Sequence, residues 1–355
     1  MAETLRIQTF TFEDGTTLRD VPVAYQTWGT LNAAGTNAVL ACHALTGDTD
    51  VADWWPGLLG ADRALDPTRD FVVCLNVPGS PYGSVSPLTA HPETGARYGS
   101  DFPSVTTRDT VRLHRRALEQ LGVRRVACAV GGSMGGMHVL EWAFETTDDG
   151  APFVRSLVPI AVGGRHTAWQ IGWSEAQRQA IYADPKWRDG QYPPDDPPRS
   201  GLATARMMAM VSYRSQPSFE DRFGREVMEE RDGRPYAVES YLRYQGDKLV
   251  DRFDARCYVQ LTKQMDTHDV ARGRGDYETV LASIQQPTLV VGIDSDVLYP
   301  LEEQEELAEH LPRTTMEVLS APHGHDSFLL ELDELSAMVA GWRARRDVTS
   351  TSVTA

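Results

Sequence analysis

The sequence predicts an α/β protein with a mostly parallel sheet and a helical insertion. Over about the first 165 residues, short apolar runs alternate with helical patterns, as is typical of βαβ units. Strand-like runs then vanish, and the α/β pattern resumes near residue 278. We therefore predict one core formed by residues 1–165 and 278–345, a helical lid over 166–277, and a disordered polar tail over 346–355.

Each element of the first half follows from a local pattern. Two alternating runs flank Asp14 and Gly15 at the N-terminus and predict an antiparallel hairpin. Helical periodicity in TTRDTVRLHRRALEQLGV predicts a helix between two strands. The buried strands are predicted in TNAVLACHAL, DFVVCLNV, RRVACAVGG and VRSLVPIAVG.

The remaining elements are predicted in the same way. Lid helices are expected in SEAQRQAIYA, GLATARMMAMVSYR, VESYLRYQGDKLVDRF and ARCYVQLTKQMDTHDVA, with a proline-rich turn at QYPPDDPPRSG. The segments that follow are the strand PTLVVGIDSD, the helix LEEQEELAEHL, the strand TTMEVLSA and the final helix DSFLLELDELSAMVAGWRARR. An insertion at this point of the chain is expected over the carboxyl ends of the strands, where open parallel sheets bind ligands.

Composition excludes several classes of function. The 355 residues carry 34 basic and 50 acidic side chains, a formal net charge of −16, which argues against nucleic acid or an anionic membrane as a partner. No apolar run is long enough to span a membrane, and the N-terminus lacks the features of a signal peptide. Four scattered cysteines without metal-ligand spacing indicate free thiols in a reducing cytoplasm and no metal site.

The segment Gly131-Gly132-Ser133-Met134-Gly135-Gly136 is the sharpest chemical signal. It follows a predicted strand and precedes the helical run MHVLEWAFE. Small residues there permit a sharp strand-to-helix turn that exposes the serine hydroxyl as a nucleophile. A glycine-rich phosphate loop is the alternative, but no GK[ST] follows and the GxGxxG register is absent.

A nucleophilic serine requires a base and an acid that orients the base. In this kind of fold the acid and then the base follow the serine along the chain. Asp294 and Asp296 follow one predicted strand, and His323 and His325 follow the next. Position alone does not separate the members of either pair.

An acyl-transfer site also requires donors for an oxyanion. The backbone amide that follows the nucleophile, that of Met134, is the first expected donor. The second is expected in the loop after an earlier strand, where residues 43–47 (HALTG) supply backbone amides.

Motifs along nearly the whole chain resemble the homoserine O-acetyltransferase family, acyltransferases with the α/β-hydrolase fold. Several lie in the core and several in the lid, and lid motifs are the more specific because generic hydrolases lack them. The motifs are HALTGD (43–48), YGSDFPSVTTRDTV (98–111), GGSMGGM (131–137), GLATARMMAMVSYRS (201–215), RFGRE (222–226), VESYLRYQGDKLVDRFDA (238–255), MDTHDVARGRG (265–275), GIDSDVLYP (292–300) and GHDSFLLE (324–331).

The resemblance implies a role for individual residues. Ser133 would be the nucleophile, Asp296 the orienting acid and His325 the base. The oxyanion donors would be the backbone amides of Leu45 and Met134.

The resemblance also implies a homoserine pocket formed by Arg206, Tyr213 and Asp326. Arg206 and Tyr213 are seven residues apart, about two helical turns, so both can face one side. A guanidinium suits the carboxylate of an amino acid. Asp326 would bind the ammonium group, and its alternative role is to cap the final helix.

The implied activity is transfer of acetyl from acetyl-CoA to L-homoserine through an acyl-serine, a step toward methionine, with no bound cofactor and in a homodimer. The segment GSPYGSVSP (79–87) departs from the common bacterial pattern and resembles the fungal branch, and His138 stands where Gln is frequent. Alternatives within the family are succinyl-CoA as donor or serine as acceptor. Outside it, an esterase-like hydrolase and a catalytically inactive binding module are the alternatives.

Overall fold

The structure, a computed structural model, describes residues 1–229 and 235–351, with side chains described as far as residue 346. Its centre is one eight-stranded sheet in the order β1-β2-β4-β3-β5-β6-β7-β8. The strands are β1 (Glu3–Thr11), β2 (Thr17–Trp28), β3 (Ala38–Cys42), β4 (Phe71–Leu75), β5 (Val126–Gly132), β6 (Leu157–Ile160), β7 (Thr288–Ile293) and β8 (Thr314–Leu319).

The pairing pattern confirms the predicted α/β architecture. Strands β1 and β2 form the predicted antiparallel hairpin, whose turn contains Gly15 at φ +88°. The pairing of β2 with β4 is also antiparallel, whereas the five pairings from β4 through β3 to β8 are parallel. The carboxyl ends of these parallel strands therefore lie at one edge of the sheet.

Helices cover both faces of the sheet. They are α1 (Val51–Trp54), α2 (Thr107–Gln120), α3 (Met134–Glu141), α4 (Ala168–Tyr182), α5 (Arg199–Ser212), α6 (Gln216–Phe223), α7 (Ala237–Val250), α8 (Ala255–Asp266), α9 (Tyr277–Ala282), α10 (Leu301–His310), α11 (Ser327–Leu330) and α12 (Leu332–Thr351). Short 3₁₀ turns occur at Gly99–Asp101, Trp142–Phe144, Arg188–Gly190 and Gly324–Asp326.

The hydrophobic core has two layers because successive residues of each central strand point to opposite faces. In β3, Leu40 and Cys42 pack into one layer, whereas Val39 and Ala41 pack into the other. All four side chains are buried. The central strands therefore read as continuous apolar runs rather than alternating ones, as expected for a sheet covered on both faces.

The stretch predicted as the lid, residues 166–277, contains helices α4 to α8. Its C-terminal end is tied to the core by charged groups. Arg274 pairs with the buried carboxylate of Glu141 at the end of α3, and Arg272 pairs with Glu13 in the hairpin turn at 2.6 Å. Arg108 of α2 bridges both carboxylates, at 3.0 Å from Glu141 and 3.2 Å from Glu13. This network fixes the point at which the chain returns from the lid to the sheet.

Two details near the C-terminus differ from the prediction. The predicted single final helix is interrupted at Glu331, whose φ −88° and ψ 56° are not helical. Helix α12 extends to Thr351, so the tail predicted as disordered from residue 346 is helical to that residue. Residues 352–355 of that tail lie outside the described residues.

Candidate active site

Ser133 stands on a sharp turn between β5 and α3. Its backbone has φ 56° and ψ −125°, a region that non-glycine residues rarely adopt. Helix α3 begins at the next residue. The turn is permitted by glycines, because a Cβ on Gly131 would lie 2.6 Å from the backbone of Gly135, and one on Gly135 would lie 2.1 Å from the Cys42 carbonyl oxygen. The predicted strand–turn–helix context of the serine is confirmed.

The loops after β7 and β8 bring one aspartate and one histidine together. Asp296 Oδ2 lies 2.6 Å from His325 Nδ1, and both side chains are buried. The other carboxylate oxygen of Asp296 accepts hydrogen bonds from the backbone amides of Leu298, at 2.8 Å, and Tyr299, at 2.9 Å. His325 Nε2 is buried and has no hydrogen-bond partner among the described residues. This arrangement leaves Nε2 available to take a proton.

The spare member of each predicted pair lies elsewhere. Asp294 accepts hydrogen bonds from Ser320 Oγ, at 2.6 Å, and from the Ala321 amide, and thereby joins the two loops. His323 is partly exposed and lies 3.3 Å from Glu331. The structure thus distinguishes the members of each pair: Asp296 and His325 contact each other, whereas Asp294 and His323 have other partners. Position along the chain alone could not make this distinction.

The expected oxyanion donors flank the serine. Leu45 and Ser133 line the same cavity, and Met134 is the first residue of α3. Among the described residues, neither amide donates to a protein acceptor in the loops or at the helix caps. The dipole of α3 also places partial positive charge beside the serine.

His43 shapes the loop that carries Leu45. Its Nδ1 contacts the Ala44 carbonyl at 2.9 Å, and its Nε2 accepts a hydrogen bond from the Val77 amide at 3.1 Å. Burial lowers the pKa of His43, so the ring stays neutral. Both ring nitrogens are used within the fold, and His43 therefore has a structural place beneath the loop.

The three residues predicted to bind homoserine lie on two adjoining segments. The Arg206 guanidinium lies 5.5 Å from the centre of the Tyr213 ring, so both face one side as predicted. The Tyr213 ring is 5.8 Å from the His325 ring. The Asp326 amide donates to the Tyr213 carbonyl at 3.1 Å. No capping hydrogen bond to α11 is formed by the Asp326 side chain, which argues against its alternative role.

Arg214, which the sequence analysis did not single out, neutralises Asp326. Its Nε lies 3.2 Å from Asp326 Oδ2, and both side chains are largely buried. Burial raises the pKa of Asp326, and the charges of Arg214 and Arg206 oppose that rise. Arg206 has no carboxylate within ion-pair distance in the described part of the chain, so its charge is available to a ligand.

The cavity beside Ser133 is narrow, about 20 Å³, or roughly the space of one water molecule. Core and lid share its wall. The lining residues are Leu45, Ser133, His166, Gln170, Trp173, Ser174, Gln177, Tyr213, Met265, Leu298 and Tyr299. A wider groove of about 740 Å³ is lined by residues that include Arg214, Phe219, Tyr241 and His323, but not Ser133. We assign the chemistry to the narrow cavity because it holds the nucleophile.

Comparison with known proteins decides the family. Residues 37–332 match the family model described as alpha/beta hydrolase fold. The homoserine O-acetyltransferase of Salinibacter ruber is 80% identical over 344 residues, which cover 97% of this chain and 98% of the relative. The chain belongs to the homoserine O-acetyltransferase family. The homoserine O-acetyltransferase of Saccharomyces cerevisiae is 42% identical, over 94% of this chain and 85% of its own length.

Solved structures extend the family likeness to the whole architecture. A homoserine O-acetyltransferase from Staphylococcus aureus has a TM-score of 0.77 at 27% identity, over 96% of this chain and 94% of its own. Esterase E22 has a TM-score of 0.87 at 23% identity, over 97% and 99%. The architecture of this homoserine O-acetyltransferase family member is therefore shared with esterases, and the fold alone does not separate transfer from hydrolysis.

Proposed function

We propose that this chain transfers acetyl from acetyl-CoA to the hydroxyl of L-homoserine. The proposal rests on the buried Asp296–His325 pair, whose imidazole contacts Tyr213 and Tyr299 in the wall of the cavity that holds Ser133. It also rests on relatives over nearly the full length of the chain that are named homoserine O-acetyltransferase. The product, O-acetylhomoserine, places the enzyme in methionine biosynthesis.

The first half-reaction forms an acyl-enzyme. His325 Nε2 takes the proton of Ser133 as the serine oxygen attacks the thioester carbonyl carbon. The backbone amides of Leu45 and Met134 stabilise the negative oxygen of the tetrahedral intermediate. The carbon–sulfur bond then breaks, and His325 returns the proton to the departing thiolate, so that CoA leaves as the thiol.

The second half-reaction regenerates the serine. The homoserine hydroxyl gives its proton to His325 and attacks the acetyl carbon on Ser133, and the serine oxygen leaves and regains that proton. Asp296 stabilises the imidazolium formed in both steps through its 2.6 Å contact with Nδ1. Because the nucleophile, base and oxyanion donors all belong to the chain, we propose that no bound cofactor is needed.

The acceptor is held by its charged groups. Arg206 would bind the carboxylate, Tyr213 would pack beside it, and Asp326 would bind the ammonium. Homoserine has one methylene more than serine, so with both charges fixed its hydroxyl extends farther toward Ser133. A displacement of the attacking oxygen by about 1 Å can cost ~100-fold in rate, and we therefore propose homoserine rather than serine as the acceptor.

Acetyl rather than succinyl suits the cavity as donor. The space beside Ser133 is small, and none of the residues that line it is a lysine or an arginine. Arg206 is assigned to the carboxylate of the acceptor, so no lysine or arginine is left to neutralise the second carboxylate of a succinyl group, and its burial would be unfavourable.

An esterase-like reaction is the second candidate because esterase E22 has nearly the same architecture. Burial of Ser133 under the lid favours transfer, because exclusion of water protects the acyl-enzyme.

Two further features belong to the proposal. Exposed apolar side chains on three lid helices, Trp169, Val211 and Tyr244, support a homodimer formed through the lid, which light scattering of the purified protein would test.

Four buried free cysteines support a reducing, cytoplasmic environment. Of the helices in the described residues, none has the length and apolar character needed to cross a membrane.

Thiol release, measured with acetyl-CoA or succinyl-CoA and with homoserine or serine in all four combinations, tests the proposal. We expect release with acetyl-CoA and homoserine, and one added acetyl mass on the peptide containing Ser133 when acetyl-CoA is supplied alone. Ser133→Ala should abolish both signals without loss of folding. Equal thiol release with and without any acceptor would identify a hydrolase instead, and a label on a cysteine would contradict the assignment of the nucleophile.

A further inference from the structure

The cavity wall holds a second imidazole–carboxylate pair that the proposed mechanism does not use. His166 lines the cavity together with Ser133, and its side chain is 1% exposed. Its Nδ1 lies 3.3 Å from Asp266 Oδ1 at the end of α8. The other oxygen of Asp266 lies 2.8 Å from Arg178 Nη1 in α4. Three parts of the lid therefore meet to hold this histidine in place.

His166 belongs to a different cluster from the residues assigned to the acceptor. The His325 ring contacts two tyrosines, Tyr213 at 5.8 Å and Tyr299 at 5.1 Å. Arg206 lies over the Tyr213 ring, whereas His166 stacks on the Tyr299 ring, with centroids 6.0 Å apart and planes at 21°. Arg206 and His166 thus reach His325 through separate neighbours, and the Tyr299 cluster is left for the acyl donor.

The environment of His166 determines which nitrogen carries the proton. Nδ1 and Asp266 Oδ1 are both buried, lie 3.3 Å apart and form no hydrogen bond within the described part of the chain. A proton on Nδ1 makes their contact attractive, whereas a lone pair there would face a carboxylate. With the proton on Nδ1, Nε2 carries the lone pair, and because His166 lines the cavity we assign this acceptor to the cavity side.

Two neighbouring amide oxygens in the same wall already accept a hydrogen bond from the protein. Gln177 Oε1 accepts a hydrogen bond from Tyr258 at 2.7 Å. Gln170 Oε1 accepts one from the Thr167 amide at 2.8 Å. Of the imidazole and carbonyl acceptors of this wall, His166 Nε2 accepts no hydrogen bond from the described residues, and we therefore take it as the partner of an N–H group that enters here.

We propose that His166 Nε2 accepts the amide N–H of the thiol arm of the donor, two carbons from the thioester sulfur, and so positions the thioester at Ser133. This inference rests on the proposed function and deepens it, because it assigns a binding residue to the mercaptoethylamide part of CoA. His166 acts here on donor binding and takes no proton in either half-reaction.

The two half-reactions allow a sharp test. In a two-step transfer, kcat/KM for acetyl-CoA reports acylation and kcat/KM for homoserine reports transfer to the acceptor. We expect His166→Ala to lower kcat/KM for acetyl-CoA about tenfold, the value of one hydrogen bond, and to leave kcat/KM for homoserine unchanged. His166→Gln, which retains an acceptor near the position of Nε2, should recover most of that loss. Asp266→Asn should lower kcat/KM for acetyl-CoA to a similar extent, because without the carboxylate the proton of His166 is no longer held on Nδ1.

A donor without an amide arm provides the decisive comparison. Acylation of Ser133 by p-nitrophenyl acetate, followed as a burst of nitrophenol, should be unchanged in His166→Ala. The matched control is His268→Gln. His268 is a buried histidine bonded to the Gly163 carbonyl outside the cavity lining, and its replacement should not discriminate between the two donors.

The outcomes separate the inference from the proposed function. Equal losses with acetyl-CoA and p-nitrophenyl acetate would overturn the inference, because the amide arm would then be irrelevant. A loss confined to kcat/KM for homoserine would overturn it by placing His166 on the acceptor side. If the wild-type protein is acylated by p-nitrophenyl acetate but releases no thiol from acetyl-CoA, the proposed function itself fails and the inference fails with it.

Discussion

Replacement of Asp296 by Asn tests the triad through a feature specific to this structure. One carboxylate oxygen accepts the backbone amides of Leu298 and Tyr299, and the other contacts His325 Nδ1. In the asparagine variant, only the amide oxygen can accept from the two backbone donors. The NH₂ group is therefore forced toward His325, where it requires a lone pair on Nδ1 and moves the ring proton to Nε2.

A proton on Nε2 prevents His325 from accepting the proton of Ser133. We expect kcat/KM for acetyl-CoA to fall on the order of 10⁴-fold, or about 5 kcal/mol of transition-state stabilisation. Asp294→Asn is the matched control, because Asp294 bonds Ser320 and Ala321 in the same loops rather than His325. Its kcat/KM for acetyl-CoA should fall by less than about tenfold. Single-turnover acetylation of Ser133, followed by mass spectrometry, measures both variants.

Equal losses for the two variants, or a larger loss for Asp294→Asn, would refute the assignment of the acid. Recovery of activity in Asp296→Asn with increasing pH would refute the tautomer argument, because the neutral ring would remain in the wrong tautomer at any pH.

Three further predictions follow from particular contacts. Gly135→Ala should destabilise the fold by several kcal/mol, because its Cβ would lie 2.1 Å from a backbone carbonyl oxygen. Gly172→Ala, with open space around it, should stabilise α4 by about 0.5–1 kcal/mol. Thermal unfolding of both variants distinguishes the effects, and similar shifts in melting temperature would contradict the argument. Burial lowers the pKa of His114 to about 3 and that of His268 to about 4, from 6.5. The unfolded chain therefore binds more protons below pH 6.5, and the free energy of unfolding should fall by ~2 kcal/mol per histidine at pH 5 relative to its value above pH 6.5; urea titrations at pH 5 and 7 that give equal values would contradict this. Arg206→Ala should raise the KM for homoserine sharply while acetylation of the nucleophile by acetyl-CoA alone continues, and loss of that acetylation would show that Arg206 serves the donor or the fold.

Local patterns were sufficient for most of the secondary structure and for the nucleophile. Apolar runs define buried strands because a strand covered on both faces excludes polar side chains. The glycines around Ser133 permit a turn that larger residues would obstruct, and this signal is contained in six consecutive residues. The interruption of the final helix at Glu331 was not predicted, because the sequence around this residue is compatible with a continuous helix and contains no local signal for a break.

Only the tertiary structure decided which groups meet. Asp294 and Asp296 are equivalent by spacing, but only Asp296 lies against His325, because the two loops are joined by contacts between residues far apart in the sequence. The contact of His166 with Asp266 likewise cannot be predicted from the sequence, since 100 residues separate the loop after β6 from the end of α8. Sequence periodicity reports which face of an element is buried, but the partner of a buried charge depends on how the elements pack.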